Sequence, residues 1–371
     1  MQPAVVPTWT ARRDGWRGHD WHVRIAVLMG GTNLDRDTSL VSGWQVAQAL
    51  REGGHETAAV DTAKPVVGAI TGDTFAELGE IEAVPPVGVQ PPTRAALSAL
   101  RRSQGGDVLA AGVLELCLAA DCVFVALFGD EGEGGRAQAI LDYAGVCFTG
   151  PDLLGCAVSF DKDMAKRLVR PTGVPTADWD VAPKGQTDLR PLEDLLPAVV
   201  KPVGGGSSIG ASVARTPEDL IEAVRTAHAT GQDGLVERFL PGREFTVGVL
   251  RGQALPPVEL DAGRELIDYE SKYQEGRTRK TCPAELSDAD TELLGQLAVT
   301  SHDQLKLGSR TCSRMDFRMN ADGEFVFMEC NPLPGMTPSS FLPVAARAAG
   351  LSFPDLCQEI VGLAGNSDPR R

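Results

Sequence analysis

The chain is predicted to be an α/β protein, with an open, doubly wound parallel sheet first and strand-rich units after it. Three observations carry this. Residues 23–29 (VRIAVLM) form a continuous apolar run ending at Gly30-Gly31, the mark of a parallel strand covered on both faces. Helical and strand patterns then alternate as far as Thr149. Further on, VERFLPGREFTVGVL and RMDFRMNADGEFVFMECN read as strand-turn-strand units.

In order along the chain, a helix is expected from about Ser39 to Glu52, with Asp37 or Thr38 as N-cap and Gly53-Gly54 as the stop. HETAAVD continues as a strand, and residues 64–92, rich in Gly and Pro, read as an irregular insertion. Helical pattern resumes near Arg94 and over residues 108–119, and DCVFVALFG at 121–129 is a second buried strand. Glycine-rich GDEGEGG leads to a helix over residues 136–144, and Gly150-Pro151 closes this portion. The second unit begins with a helix over residues 161–170. It reaches a short strand at Ala198 to Lys201, a glycine loop, a helix over 217–229 and the strand GLVERFL. From REFTVGVL onward the pattern is strand-rich until a helix over about 354–363.

At 371 residues the chain suits two or three subdomains. A net charge of -15 argues against nucleic acid as the main partner, since phosphate backbones need a basic surface. The eight cysteines form no C-x-x-C pair and no zinc spacing, so they read as buried thiols of a reducing compartment. No apolar run is long enough to cross a bilayer. Residues 1–22 lack an apolar h-region and read as a flexible extension, which makes a cytoplasmic location the expectation.

Chemistry concentrates in RMDFRMNADGEFVFMECNPLPGMTPSS. With Asp322-Gly323 as a two-residue turn, Asp316 falls opposite Glu329 and Arg314 opposite Asn331, all on one face. Opposed carboxylates with Cβ atoms roughly 5 Å apart repel unless a cation sits between them. A hard divalent cation would remove that cost, although the hairpin alone also fits a solvated charged face. Asn331 runs into PLPGMTPSS, whose prolines and glycine force irregular backbone beside the carboxylates.

Upstream, Lys201 in VVKPVGGGSSIG precedes a loop whose glycines let backbone N–H groups approach an anion. It is not the Walker A order, in which the lysine follows the glycines. Lys162 in SFDKDMAKRL stands in the first turn of a helix, as a surface lysine or as a second phosphate ligand. Glu237 and Glu244 flank FLPGR, as a solvated hairpin or as carboxylates offered to a ribose.

Together these residues resemble the D-alanine:D-alanine ligases of the ATP-grasp superfamily. The resemblance runs from Val23 to about Gly362 and rests on MGGTNLDRDTSLVSG, GEGGRAQAILDYAGVCFTG, FDKDMAK, VVKPVGGGSSIG, VERFLPGREFTVGVL, DYESKY, RMDF and ECNPLPGMTPSS, in that order. It implies an ATP-grasp fold with a substrate-binding α/β domain at 23–160, a central subdomain at 161–238 and a C-terminal one at 239–371, with ATP between the last two. Lys162 and Lys201 would meet the nucleotide phosphates, and Glu237 and Glu244 the adenine and ribose. Asp316, Glu329 and Asn331 match the ligands of two magnesium ions, with manganese as an alternative. Asp35, Ser207 and Tyr273 would position the first amino acid, and Lys272 would reach the transferred phosphate. Arg314 and the Gly335 N–H would stabilise an oxyanion, Ser340 would bind the second substrate's carboxylate, and residues 268–280 would form a closing loop. The implied partners are small amino acids and a second copy of the chain, with neither nucleic acid nor membrane.

Two positions depart from the family pattern. Asp35 stands where the family normally carries glutamate, and Phe128 where it usually has histidine. Both fall where the first amino acid is expected, so a dipeptide ligase of specialised metabolism with another substrate stands beside the D-alanine reading. Lys272 and Tyr273 in DYESKY favour amide over ester formation. A nicotinamide oxidoreductase is disfavoured because G-x-G-x-x-G is absent after the first strand. A non-catalytic nucleotide-binding regulator would have little use for Arg314 or Tyr273.

Overall fold

The computed structural model describes residues 22–71, 73–78, 87, 88, 90–261, 263, 265 and 278–365. The extension expected at 1–22 lies outside them except for His22, and so do Lys272 and Tyr273.

Strand β1 (Arg24–Met29) is central in a parallel sheet, between β2 (Glu56–Asp61) and β3 (Cys122–Val125). Its continuous apolar run has a simple cause, since both faces are covered. Ile25, Val27 and Met29 pack with Val46 and Leu50 of helix Arg36–Glu52 and with Leu356, Ile360 and Val361 of helix Phe353–Gly365. Ala26 and Leu28 point the other way, into a core with Val113, Leu116 and Leu141. The first helix begins at Arg36, earlier than the expected Ser39, with Asp35 as its N-cap. Asp35 makes no side-chain cap bond: its backbone, at φ -93° and ψ 12°, is not in the extended capping conformation, and its carboxylate accepts the Ser207 hydroxyl. Instead of starting near Val108, the later helix spans Val113–Ala119 and starts after Gly112, whose φ of +81° ends the preceding irregular chain. Helix Thr74–Glu77 interrupts the segment expected to be irregular.

A four-stranded antiparallel sheet follows, ordered β4 (Trp179–Ala182), β7 (Gly234–Arg238), β5 (Ala198–Pro202) and β6 (Ser212–Ala214). Helix Pro217–His228 covers it, started by a Thr216/Asp219 capping box and Pro217. Leu220 and Val224 of that helix meet Val200 and Val236 of the sheet.

The third sheet is antiparallel, ordered β11 (Arg279–Thr281), β10 (Val258–Asp261), β8 (Glu244–Leu250), β12 (Cys312–Met319) and β13 (Phe325–Asn331), with β9 (Gln253–Ala254) paired to β8. Helix Lys162–Val169 packs here, its Ala165 and Val169 sharing a core with Phe245, Phe317 and Phe327. The expectation of a strand-rich stretch up to residue 354 is corrected by helices Asp288–Gln304 and Phe341–Ala348. The first of these buries Leu294, Gly295, Ala298, Ser301 and His302, so its inner face carries no apolar stripe to read.

The β12–β13 hairpin pairs Arg314 with Asn331 and Asp316 with Glu329, as expected. Its turn differs. Met319 pairs with Phe325, the Asn320 N–H donates to the Glu324 carbonyl at 3.0 Å, and Gly323 has φ +84°. The loop is therefore one residue longer than a two-residue turn. An irregularity between Asp316 and Phe317, opposite which Met328 is the extra residue, restores the register at the site.

Candidate active site

Glu329, Lys162 and Lys201 meet at a cavity between the second and third sheets, which Glu237, Glu244 and Asp316 also line. Local structure explains each placement. Asp161 caps the helix that starts at Lys162, accepting from the Met164 N–H at 2.9 Å, and the Lys162 N–H donates to the Val203 carbonyl at 3.0 Å. That bond fastens the helix start to the glycine loop. Lys162 Nζ reaches the Gly205 carbonyl at 2.6 Å and lies 3.6 Å from Glu329. Lys201, next to last in β5, lies 3.1 Å from Glu237 and 3.9 Å from Glu329. The loop beyond it is strained, with Ser207 and Ser208 at φ +56° and +57°.

Glu237 is 4% exposed and bonded to both Lys166 and Lys201. Burial pushes its carboxyl up, but the two lysines outweigh this and hold it below the ordinary carboxylate range. Burial likewise pulls Lys201 down, yet Glu237 and Glu329 leave it above the ordinary lysine range. The Glu237 side chain, expected to face an adenine, is thus engaged as the anchor of the two lysines. Glu244 stands 3.8 Å from Arg318 at the cavity wall. Sequence reading missed Lys166, although Lys162 and Lys166 stand four apart on the buried face of one helix, a signal available in FDKDMAK.

The opposed carboxylates are relieved by the protein's own cations. Arg314 grips Asp316 with two bonds of 2.9 Å, Thr246 donates to Asp316 at 2.6 Å, and the two cavity lysines face Glu329. A divalent cation still fits here. Asn331 Oδ1 is buried without a hydrogen-bond partner, next to two carboxylates on paired strands. Three hard oxygen donors on one face suit magnesium, which keeps the rest of its shell for water and phosphate. Among the described residues no group of three or more His, Cys, Asp or Glu side chains could hold a metal, so these donors would not suffice without such outside ligands.

A second cavity lies across the glycine loop, lined by Thr32, Asn33, Asp35 and Gly129 and sharing Gly205 and Gly206 with the first. Asp35 is 6% exposed and accepts the Ser207 hydroxyl, so these two predicted residues do meet. Glu133, which the sequence reading passed over inside GDEGEGG, is buried nearby and accepts from the Gly129 N–H at 2.7 Å. Burial first, and then the Asp35 charge, push its carboxyl up to about 8. Phe128 lines neither cavity. Its ring packs in the core beneath β1 together with Leu333, while its carbonyl accepts from Asn33 Nδ2 at 2.9 Å at the edge of the second cavity. Ser340 bonds Thr337 at 2.8 Å and stands 3.1 Å from the position of a Cβ on Gly335, so these two residues share one loop corner. Arg314 lies over the Phe341 ring at 5.4 Å, which brings that corner to the face that carries Asp316 and Asn331.

The three sheets and the clefted lysine-carboxylate site define an ATP-grasp protein. Residues 24–151 match the family model described as D-ala D-ala ligase N-terminus, and residues 168–362 match D-ala D-ala ligase C-terminus. The chain belongs to the D-alanine–D-alanine ligase family. It is 34% identical over 352 residues to the D-alanine–D-alanine ligase of Pediococcus pentosaceus, with 91% of this chain and 97% of that one covered. The enzyme of that name from Alkalilimnicola ehrlichii is 35% identical over 343 residues, covering 91% and 93%. Two crystal structures of D-alanine–D-alanine ligase from Bacillus anthracis share the fold. The one complexed with ATP has a TM-score of 0.71 at 23% identity, and the other a TM-score of 0.70 at 25%. Each covers 92% of this chain and 97% of its own.

Proposed function

We propose that the protein is an ATP-dependent ligase that joins two D-alanine molecules into the dipeptide used for peptidoglycan precursors. It works in the cytoplasm and as a homodimer on this reading. A carboxylate is a poor electrophile because its leaving group would be oxide. Attack of the first alanine's carboxylate oxygen on the γ-phosphorus of ATP releases ADP and gives an acyl phosphate. The second alanine's amine then forms the amide, and inorganic phosphate leaves.

The convergence of Lys162 and Lys201 on Glu329, beside Asp316 and the unpartnered Asn331 oxygen, carries this reading. Lysines so placed neutralise phosphate charge, and the protein contributes position rather than covalent chemistry. Glu237 serves by holding Lys201, and Glu244 faces the ribose. Asp316, Glu329 and Asn331 would hold magnesium, two ions in the full complex, supplying charge neutralisation at the phosphates. Asp35, fixed by Ser207, receives the first alanine's ammonium. Arg314 and the Gly335 N–H face the developing oxyanion, and Ser340 the second carboxylate. We assign residues 23–160 to the amino-acid domain, with 161–238 and 239–371 as the two halves that enclose ATP.

The test is phosphate release by the purified enzyme with ATP and magnesium across D- and L-amino acids. D-alanine alone should give one phosphate per dipeptide. Silence with D-alanine and turnover with another pair would overturn the substrate assignment.

A further inference from the structure

The turn that carries Asp35 and the turn that carries Glu133 follow neighbouring strands, β1 and β3, and Glu131 joins them. Its carboxylate is 5% exposed. One oxygen accepts from the Thr32 backbone N–H at 2.7 Å and from Asn33 Nδ2 at 3.1 Å, and the other accepts the Thr32 hydroxyl. Asn33 passes the connection on. Its Nδ2 also donates to the Phe128 carbonyl at 2.9 Å, and its Oδ1 accepts from the Asp35 backbone N–H at 2.9 Å.

Two glycines make room for this bracket. A Cβ on Gly31, at φ +80°, would lie 2.2 Å from Glu131 Oε2, and one on Gly129, at φ +68°, would lie 2.7 Å from Asn33 Oδ1. A carboxylate this buried is stable only with its lone pairs engaged. Here the donors belong to Thr32 and Asn33, in the turn that presents Asp35.

We propose that Glu131 is a positioning residue of the amino-acid subsite. Through Thr32 and Asn33 it fixes the backbone of Asp35, so that the Asp35 carboxylate meets the first substrate's ammonium in one place. This rests on the reading of Asp35 as the ammonium ligand. Glu131 lines neither cavity; it holds the turn at Thr32 and reaches the Asp35 backbone N–H through Asn33.

The experiment uses the full-length enzyme and measures kcat, the KM for the first D-alanine, the KM for ATP and the melting temperature. Its variants are Glu131→Gln, Asn33→Ala, the pair combined, and Asp35→Asn. Glu131→Gln keeps the size but turns an acceptor into a donor aimed at Thr32 or Asn33. The alanine KM should rise about tenfold, with the ATP KM unchanged. Because the two residues act in series, the double variant should be no worse than the stronger single one. An unchanged alanine KM, equal rises in both KM values, or multiplying effects in the double variant would each overturn the proposal. Should Glu131→Gln not fold, Asn33→Ala must alone raise the alanine KM and spare that of ATP, or the proposal fails. Asp35→Asn separates the two layers. If it leaves the alanine KM unaltered, the Asp35 reading falls and the proposal with it. If it raises that KM while Glu131→Gln does not, only the Glu131 proposal falls.

Discussion

The two cavities on either side of the glycine loop handle charge in opposite ways. On the proposed nucleotide side, carboxylates and cations interlock: Lys166 and Lys201 on Glu237, Lys162 and Lys201 near Glu329, Arg314 on Asp316. On the proposed amino-acid side, Glu131 is held by the Thr32 hydroxyl and backbone N–H and the Asn33 amide, while the Ser207 hydroxyl donates to Asp35 and the Gly129 N–H to Glu133. Neutral donors orient a carboxylate without cancelling it. The first side is therefore suited to receive a polyanion whose charge must be spread, whereas on the second burial and the Asp35 charge push Glu133 toward its protonated form beside the Asp35 carboxylate. The loop Gly204 to Ser208 is the wall between these environments.

Breaking the nucleotide side should have the largest effect. Asp316→Ala removes a proposed metal oxygen and leaves the buried Arg314 without its bidentate partner, so kcat/KM in phosphate release should fall by roughly a thousandfold or more. A fall of less than about tenfold would show that Asp316 is a structural partner of Arg314 only. Next comes Lys166→Met, which removes one cation from a fully buried pair. Urea denaturation without nucleotide should show a loss of about 3 kcal/mol, tempered by the Lys201 that still faces Glu237. If stability holds and only ATP affinity falls, the Lys166 charge belongs to the ligand site and not to the fold.

The smallest effect probes the amino-acid side. With its carboxyl raised to about 8, Glu133 keeps a proton in the folded chain that the unfolded chain, at its ordinary value of 4.5, has lost. Between those values the unfolded state binds fewer protons, so this group's contribution to stability falls as pH rises through the window. Glu133→Gln should flatten the decline of melting temperature between about pH 5 and pH 8. Equal slopes in parent and variant would mean that Glu133 is already ionised when folded.

Much of this was legible in sequence, for reasons that differ by element. β1 was readable because burial on both faces leaves an unbroken apolar run. The Asp316/Glu329 pairing came out right through two errors that cancel, a loop one residue longer than expected and an extra residue at Met328. Periodicity sees the strand face, not the bulge. Helix Asp288–Gln304 went unread because its inner face is Gly, Ala, Ser and His as much as Leu. Lys166 and Glu133 share one difficulty: each is an ionisable residue inside the protein, where its type alone suggests a surface position, although the four-residue spacing from Lys162 did point to Lys166. Phe128 was singled out by the resemblance alone, and periodicity gave no sign that its ring packs in the core beneath β1.

The packing of helix Phe353–Gly365 against β1 bears on how the chain is made. Ile25, Val27 and Met29 emerge from the ribosome more than 300 residues before Leu356, Ile360 and Val361. At ordinary translation speeds that is a wait of roughly 15 to 65 s. Through that interval one face of the first sheet lacks its final cover, and a nascent chain with an exposed apolar strand is what chaperones bind.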